Sequence, residues 1–149
     1  MRYFEDVEVG STATFGAYEV TAEEIKSFAE QYDPQPFHTD EDAAADSMFG
    51  GLVASGWHTM AICMRLTTEQ PDPLAALAGI GADNLRWVKP VRPGDRLSLR
   101  TEVIDKRPSS GHDDRGYVTT HVEAVNQGGE TVVRFDVIAL VKRRAFDEE

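Results

Sequence analysis

The chain has 149 residues, of which 41% are hydrophobic and 28% are charged. This is enough apolar material for one buried core and too much for a disordered tail, so we expect a single domain spanning residues 1–149. The formal net charge of −11 argues against sequence-independent binding to the polyanionic backbone of a nucleic acid.

Cysteine content and the N-terminal sequence indicate the compartment. The single cysteine, Cys63, cannot form an intrachain disulfide, and no Cys/His array has the spacing of a zinc site. The first ten residues lack the apolar run of a signal peptide, and no segment approaches the roughly 18 apolar residues of a membrane span. We therefore expect a cytoplasmic protein with no membrane partner.

Charge is unevenly divided along the chain. Residues 1–64 carry two basic and twelve acidic residues, whereas residues 65–149 carry thirteen basic and fourteen acidic ones. The basic residues of the second part suggest either a site for a small anion, such as a phosphorylated carrier, or a solvated strand edge, which is the commoner case for any one of them. They are Arg86, Lys89, Arg92, Arg96 and Arg100.

The first predicted elements are a strand and an amphipathic helix. Residues 11–20 have the pattern of a short strand, and Thr21 with Glu24 has the form of a capping box at a helix start. A helix to about Tyr32 follows, because apolar residues recur there with helical spacing. These residues are Ile25, Phe28, Ala29 and Tyr32.

The segment after this helix contains candidate catalytic residues. Pro34 and Pro36 disfavour helical backbone at Asp33 and Gln35, so both should be extended and the chain should turn sharply toward His38. A carboxylate and an imidazole that converge on one water form a suitable acid/base pair. On the pattern alone, the commoner case is an Asp that is a turn residue and a His that is only solvated.

The next predicted element is a central helix. The Gly50-Gly51 pair allows a close backbone approach, and residues 52 to about 69 are apolar on nearly every side, which predicts a buried central helix. Ser55 and Gly56 lie at its start, where backbone N–H groups have no intrahelical partner and can bind a carbonyl oxygen. Alternatively, Gly56 serves only tight packing.

Several other side chains of this helix are assigned to the core. Cys63 and His58 are five residues apart and point away from each other, so Cys63 is predicted to be a core residue and not a nucleophile. Trp57 begins the helix and can line an acyl tunnel. His38 with Asp40 lacks a third metal ligand, so we predict no metal site.

The last third of the chain alternates with a period of two. Strands are predicted at residues 97–103, 117–125 and 133–141, with a turn at residues 92–95 and a two-residue hairpin at residues 127–130. An antiparallel sheet wrapped around the apolar helix hides both, which gives an α+β fold. Its exposed edge strand favours a homodimer or higher homo-oligomer.

Five segments together resemble the MaoC-like dehydratases and (R)-specific enoyl-CoA hydratases. The sequences DPQPFHTD, followed by Ala43 and Ala44, and GLVASG are similar to the hydratase signature of that family. The five segments are residues 33–40, 51–56, 3–10, 86–95 and 126–127. They are spread over most of the chain.

This resemblance implies a hotdog fold in which an overhanging segment carries the active site over a dimer. It implies that Asp33 and His38 activate water for syn addition across a trans-2-enoyl-CoA, and that the Gly56 N–H polarises the thioester carbonyl. The reverse reaction is a dehydration. Coenzyme A then enters as part of the acyl-CoA substrate, with no separate cofactor. The expected substrate-binding residues are Gln35, Ser55, Trp57, Lys89 and Arg92.

The chain departs from the family pattern at three positions. Gln35 stands where the family usually has Asn, Ser55 where many members have His, and Met64 where well-known hydratases have Ser. These departures favour a different acyl selectivity. They also leave two alternatives open: a non-catalytic acyl-CoA-binding module and a hotdog thioesterase.

Overall fold

The computed structural model describes residues 1–144, so the last five residues of the predicted domain lie outside the described part. A 3-10 turn at Phe4–Asp6 precedes the main elements. The helices are α1 (Ala22–Tyr32), α2 (Pro36–Thr39), α3 (Glu41–Ala45) and α4 (Gly56–Glu69). The strands are β1 (Thr12–Glu19), β2 (Ala76–Trp87), β3 (Arg96–Pro108), β4 (Arg115–Val125) and β5 (Thr131–Lys142). Within residues 1–144, no helix combines the length and the hydrophobicity that crossing a membrane requires.

The strands form one antiparallel sheet in the order β1-β3-β4-β5-β2. Buried side chains of α4 pack against buried side chains of this sheet in the main core. The predicted α+β hotdog fold is therefore confirmed, as are the strands predicted from alternation, which correspond to β1, β3, β4 and β5.

The edge strand β2 was not predicted from the sequence. It contains Gly79 and Gly81 among several alanines, residue types that strands usually avoid, and its side chains are almost all exposed. A strand without a buried face has no alternation to detect. Its pairing with β5 is what makes it a strand.

Helix α4 starts four residues later than predicted and ends where predicted. Residues before it are held by other segments: the Val53 N–H donates to Phe37 O at 3.2 Å, and the Ala54 N–H donates to Val91 O at 2.9 Å. These bonds keep the backbone extended until Ser55, which caps the helix.

Only one side of α4 is buried. Ile62, Cys63 and Leu66 are at most 4% exposed, whereas Trp57 is 59% exposed and Met64 is 58% exposed. The prediction of a helix buried on nearly every side is therefore wrong for the single chain. The physical reason is that the sheet of one chain covers one side of the helix only.

Two predicted turn motifs differ in detail. Thr21 caps α1, since its Oγ1 accepts the Glu24 N–H at 3.2 Å. The Glu24 carboxylate accepts hydrogen bonds from Tyr18 and His58. These contacts replace the bond from the Thr21 N–H to the Glu24 side chain that a capping box would have. Five residues, 126–130, connect β4 to β5, instead of the predicted two-residue hairpin loop. The Asn126 N–H donates to Glu130 O at 2.9 Å, and the side-chain oxygen of Asn126 accepts the N–H groups of Gly128 and Glu130.

Candidate active site

The bend after α1 is built as predicted at Gln35, whereas Asp33 leaves the helix without reaching the predicted extended conformation. Asp33 has left the helix with φ −154° and ψ 66°, and Gln35 is extended with φ −84° and ψ 144°. Pro36 then starts the single helical turn α2, where its fixed φ is favourable and its missing N–H costs nothing. This turn carries His38 back toward Asp33.

Asp33 and His38 face each other at the end of this bend. The Nε2 atom of His38 lies 3.4 Å from Oδ2 of Asp33, and His38 is 6% exposed. Nδ1 of His38 lies 2.6 Å from the carbonyl oxygen of Val53, which can only accept a hydrogen bond. Nδ1 therefore carries a proton, and in the neutral ring the lone pair of Nε2 points to the Asp33 side.

Two further side chains hold Asp33. The Gln35 amide Nε2 donates to Oδ1 at 2.6 Å, so the longer side chain that replaces the family's usual Asn does reach the carboxylate. The Ser55 hydroxyl donates to Oδ2 at 2.7 Å. Partial burial raises the pKa of Asp33, but the bonds from Gln35 and Ser55, together with His38, outweigh burial and hold the pKa below its usual value.

Ser55 also sets the start of α4. Its hydroxyl accepts the Trp57 N–H at 3.3 Å, and its side chain is completely buried. The Gly56 N–H, in the first turn of α4, has no hydrogen-bond partner within residues 1–144. Such an N–H, at the positive end of the helix dipole, is a donor for an incoming oxygen.

These groups lie at a cavity of about 420 Å³. Six of the predicted site residues line it: Asp33, Gln35, His38, Gly56, Trp57 and Lys89. Its remaining wall is mostly apolar and comes from α2, the segments before α4 and after β2, and β5. These residues include Phe37, Phe49, Val53, Ala54, Trp87, Val88, Pro90, Val91 and Val132.

Two predicted substrate-binding residues lie elsewhere. Ser55 is hydrogen-bonded beneath Asp33 and does not line the cavity wall. Arg92 donates from Nη2 to the carbonyl oxygen of Phe49 at 2.7 Å, and it also lies outside the lining. Lys89 does line the cavity and is paired with Glu130.

The sequence did not reveal two groups that shape this site. One is the backbone carbonyl of Val53, which orients His38 and has no sequence signature. The other is Trp87, whose indole packs against Gly56 and contacts Trp57 edge-on with ring centroids 5.1 Å apart. Trp87 is the last residue of β2, which alternation did not predict, so its place in the family-like segment 86–95 was the one sequence signal for it.

The core assignment of Cys63 is confirmed. It is 2% exposed, and burial raises the pKa of its thiol to about 12, which leaves it unreactive as a nucleophile. His58 points away from it toward Glu24, with Nε2 2.9 Å from Oε1.

Comparison with known proteins matches residues 6–128 to the family model described as MaoC like domain. The crystal structure of a MaoC-like dehydratase from Rhodospirillum rubrum is 46% identical, with a TM-score of 0.91 over 97% of this chain and 99% of that chain. The 3-hydroxybutyryl-CoA dehydratase of Methylorubrum extorquens is 34% identical over 108 residues, which are 71% of this chain and 66% of that protein. The R-hydratase PhaJ1 from Pseudomonas aeruginosa is 26% identical, with a TM-score of 0.76 over 95% of this chain and 86% of that chain.

The family model covers the bend with Asp33 and His38, the start of α4 and most of the sheet. The crystal structure of the MaoC-like dehydratase from Rhodospirillum rubrum has the same fold over 97% of this chain. The chain therefore belongs to the MaoC-like domain family.

Proposed function

We propose that this protein is an (R)-specific enoyl-CoA hydratase or 3-hydroxyacyl-CoA dehydratase. The observation that carries the proposal is the 3.4 Å pair of Asp33 Oδ2 and His38 Nε2, which lies in one cavity with the Gly56 N–H, a donor without a partner among the described residues. Both atoms of the pair can accept a hydrogen bond, and 3.4 Å is long for a direct one. A water that donates one O–H to each atom would present its oxygen to a substrate.

In the hydration direction, the water oxygen bonds to C3 of the enoyl thioester while one O–H bond breaks and its proton passes to the Asp33–His38 pair. The π electrons of the C2–C3 bond move toward the carbonyl oxygen, where the Gly56 N–H stabilises the developing negative charge. The pair then returns a proton to C2. The product is a 3-hydroxyacyl thioester, and the reverse sequence is the dehydration.

The charge state of Asp33 suits this role. Its lowered pKa keeps the carboxylate ionised at neutral pH, so it can accept a hydrogen bond from water. His38 is held in one tautomer by Val53, which leaves Nε2 as the ring atom available for proton exchange. Each side chain is positioned before substrate arrives, which lowers the cost of reaching the reactive geometry.

A CoA thioester as substrate is supported by the name of one similar protein, a 3-hydroxybutyryl-CoA dehydratase. The R specificity is supported by the name of another, an R-hydratase. The apolar wall of the cavity suits an acyl chain. We assign the CoA phosphates to Lys89, which lines the cavity, and to Arg92, which donates to the carbonyl oxygen of the lining residue Phe49, with coenzyme A bound only as part of the substrate.

We also propose that the protein acts as a homodimer. The exposed side of α4 and the edge strand β2 present large apolar side chains, which a second copy would cover. They are Trp57, Met64, Leu77, Ile80 and Trp87. Light scattering at micromolar concentration should give twice the chain mass of 16.5 kDa, and a monomeric mass would contradict this part of the proposal.

The activity is tested by the loss of enoyl-thioester absorbance when the protein is mixed with short- and medium-chain enoyl-CoAs. Asp33→Asn and His38→Ala should each lower kcat/KM about 100- to 10,000-fold, the range for loss of a general acid or base. Asp105→Asn and His112→Ala, on exposed positions outside the cavity, are matched controls.

Full turnover in both Asp33→Asn and His38→Ala would contradict the mechanism. Saturable binding of CoA thioesters without turnover would indicate a non-catalytic binding module. Release of free thiol from a saturated acyl-CoA would indicate a thioesterase.

A further inference from the structure

Trp87 occupies the space directly over the first residue of α4. A Cβ atom added to Gly56 would lie 2.4 Å from both Cε2 and Nε1 of the Trp87 indole, a distance that no real Cβ tolerates. The indole therefore packs against the glycine backbone itself. The same glycine supplies the N–H that has no partner in the described part of the chain, so Trp87 and this donor lie side by side in the cavity wall.

The position of this indole is fixed from two sides. Trp87 ends β2, where it pairs with Val133 of β5, and the next residue continues the attachment because the Val88 N–H donates to Val132 O at 2.8 Å. The ring also meets Trp57 edge-on at an interplanar angle of 81°. Moving the indole away from Gly56 requires giving up this aromatic contact.

We propose that Trp87 determines substrate specificity by excluding acyl thioesters that are branched at C2. This inference rests on the proposed function, in which the thioester oxygen binds the Gly56 N–H. From standard bond lengths, C2 then lies about 2.4 Å from that oxygen. Asp33, His38, Gly56 and Trp87 all line this one cavity. A methyl group on C2 would therefore compete with the indole for the space beside Gly56, whereas an unbranched C2 adds no such group.

The expected size of the discrimination follows from the packing. One additional methyl or methylene group in an apolar pocket changes kcat/KM by about 10- to 200-fold. We therefore expect the protein to prefer linear over 2-methyl-branched thioesters by at least about tenfold. Removing the indole should bring the two close to equality.

The experiment compares the wild type with Trp87→Ala, Trp87→Leu and the control Ile104→Ala, which removes an exposed apolar side chain of β3 outside the cavity. The first readout is kcat/KM for (E)-but-2-enoyl-CoA and (E)-2-methylbut-2-enoyl-CoA. The second is Kd by calorimetry for the unreactive saturated pair, butanoyl-CoA and 2-methylbutanoyl-CoA. The leucine variant retains apolar bulk in case the alanine variant does not fold.

The linear-to-branched ratio should be high in the wild type and in Ile104→Ala, intermediate in Trp87→Leu, and within about threefold of unity in Trp87→Ala. Equal wild-type values for the two members of each pair would overturn the inference, and so would an unchanged ratio in both Trp87 variants. Absence of turnover together with a Kd ratio that collapses in Trp87→Ala would reject the hydratase activity and support the role of Trp87. Absence of saturable binding for every thioester would reject both.

Discussion

The hydroxyl of Ser55 donates to Asp33 Oδ2 at 2.7 Å and accepts the Trp57 N–H at 3.3 Å. One side chain therefore connects the candidate catalytic carboxylate, just after α1, with the N-terminus of α4. These two places lie 22 residues apart in sequence. The buried side chain of Ser55 therefore helps to hold Asp33 close to the N-terminus of α4.

Ser55→Ala should lower both stability and the function of Asp33. The helix loses its N-cap, which costs about 0.5–2 kcal/mol. Asp33 loses a donor that lowers its pKa, so the acid limb of the kcat/KM profile should move to higher pH. Urea denaturation and a pH–rate profile measure the two effects. Ser27→Ala, on the exposed side of α1, is the control, and an unchanged profile in Ser55→Ala would show that the bond does not tune Asp33.

Gln35→Glu replaces a donor to Asp33 by a like charge of the same size. Two adjacent carboxylates disfavour each other's ionisation, so the pKa of Asp33 should rise. As the pH is lowered, activity should therefore be lost at a higher pH than in the wild type. The matched control is Gln31→Glu, which adds the same charge on the exposed part of α1. If both variants shift the pH–rate profile equally, net charge and not the Gln35 contact is responsible.

Gly56→Ala should destabilise the fold through Trp87. The added methyl overlaps the indole at 2.4 Å, and overpacking of this kind costs about 1–3 kcal/mol. In the double variant Gly56→Ala/Trp87→Ala the overlap is absent, so most of the cost of the first change should disappear. A double-mutant cycle in urea measures the coupling. Additive effects would mean that the indole moves aside freely.

Glu24→Ala should destabilise the protein more than the neighbouring change Glu23→Ala. The Glu24 carboxylate accepts from the Tyr18 hydroxyl at 2.6 Å and lies 2.9 Å from Nε2 of His58, which is 3% exposed. Leaving such groups without a partner costs about 1–3 kcal/mol. Both variants remove an acidic residue from the first turn of α1, so the helix-dipole contribution largely cancels. Equal midpoints in urea would contradict a structural role for Glu24.

Glu5 should contribute to stability in a defined acid range. Partial burial raises its pKa, but the Arg144 backbone N–H and the Arg143 guanidinium outweigh this and lower the pKa from 4.5 to about 2. Because the folded-state value is the lower one, the contribution is complete above pH 4.5 and is lost as the pH falls toward about 2. The urea midpoint of Glu5→Gln should therefore depend less steeply on pH in this range. Glu8→Gln, also near the N-terminus and exposed, should behave as the wild type.

Short-range patterns in the sequence were sufficient for most secondary structure. Helical spacing in α1 and alternation in β3, β4 and β5 report which side of each element is buried, and burial drives their formation. The prolines at positions 34 and 36 act on their immediate neighbours, so the bend that brings Asp33 toward His38 was also predictable.

Contacts between distant segments decided the rest. Strand β2 exists because β5 supplies its hydrogen bonds, and α4 begins at Gly56 because Phe37 and Val91 hold the preceding residues extended. The carbonyl of Val53 that orients His38, the hydroxyl of Ser55 beneath Asp33, and the indole of Trp87 over Gly56 all come from segments that meet only after folding. A sequence pattern records the periodicity of one element, whereas these distances depend on how separate elements pack.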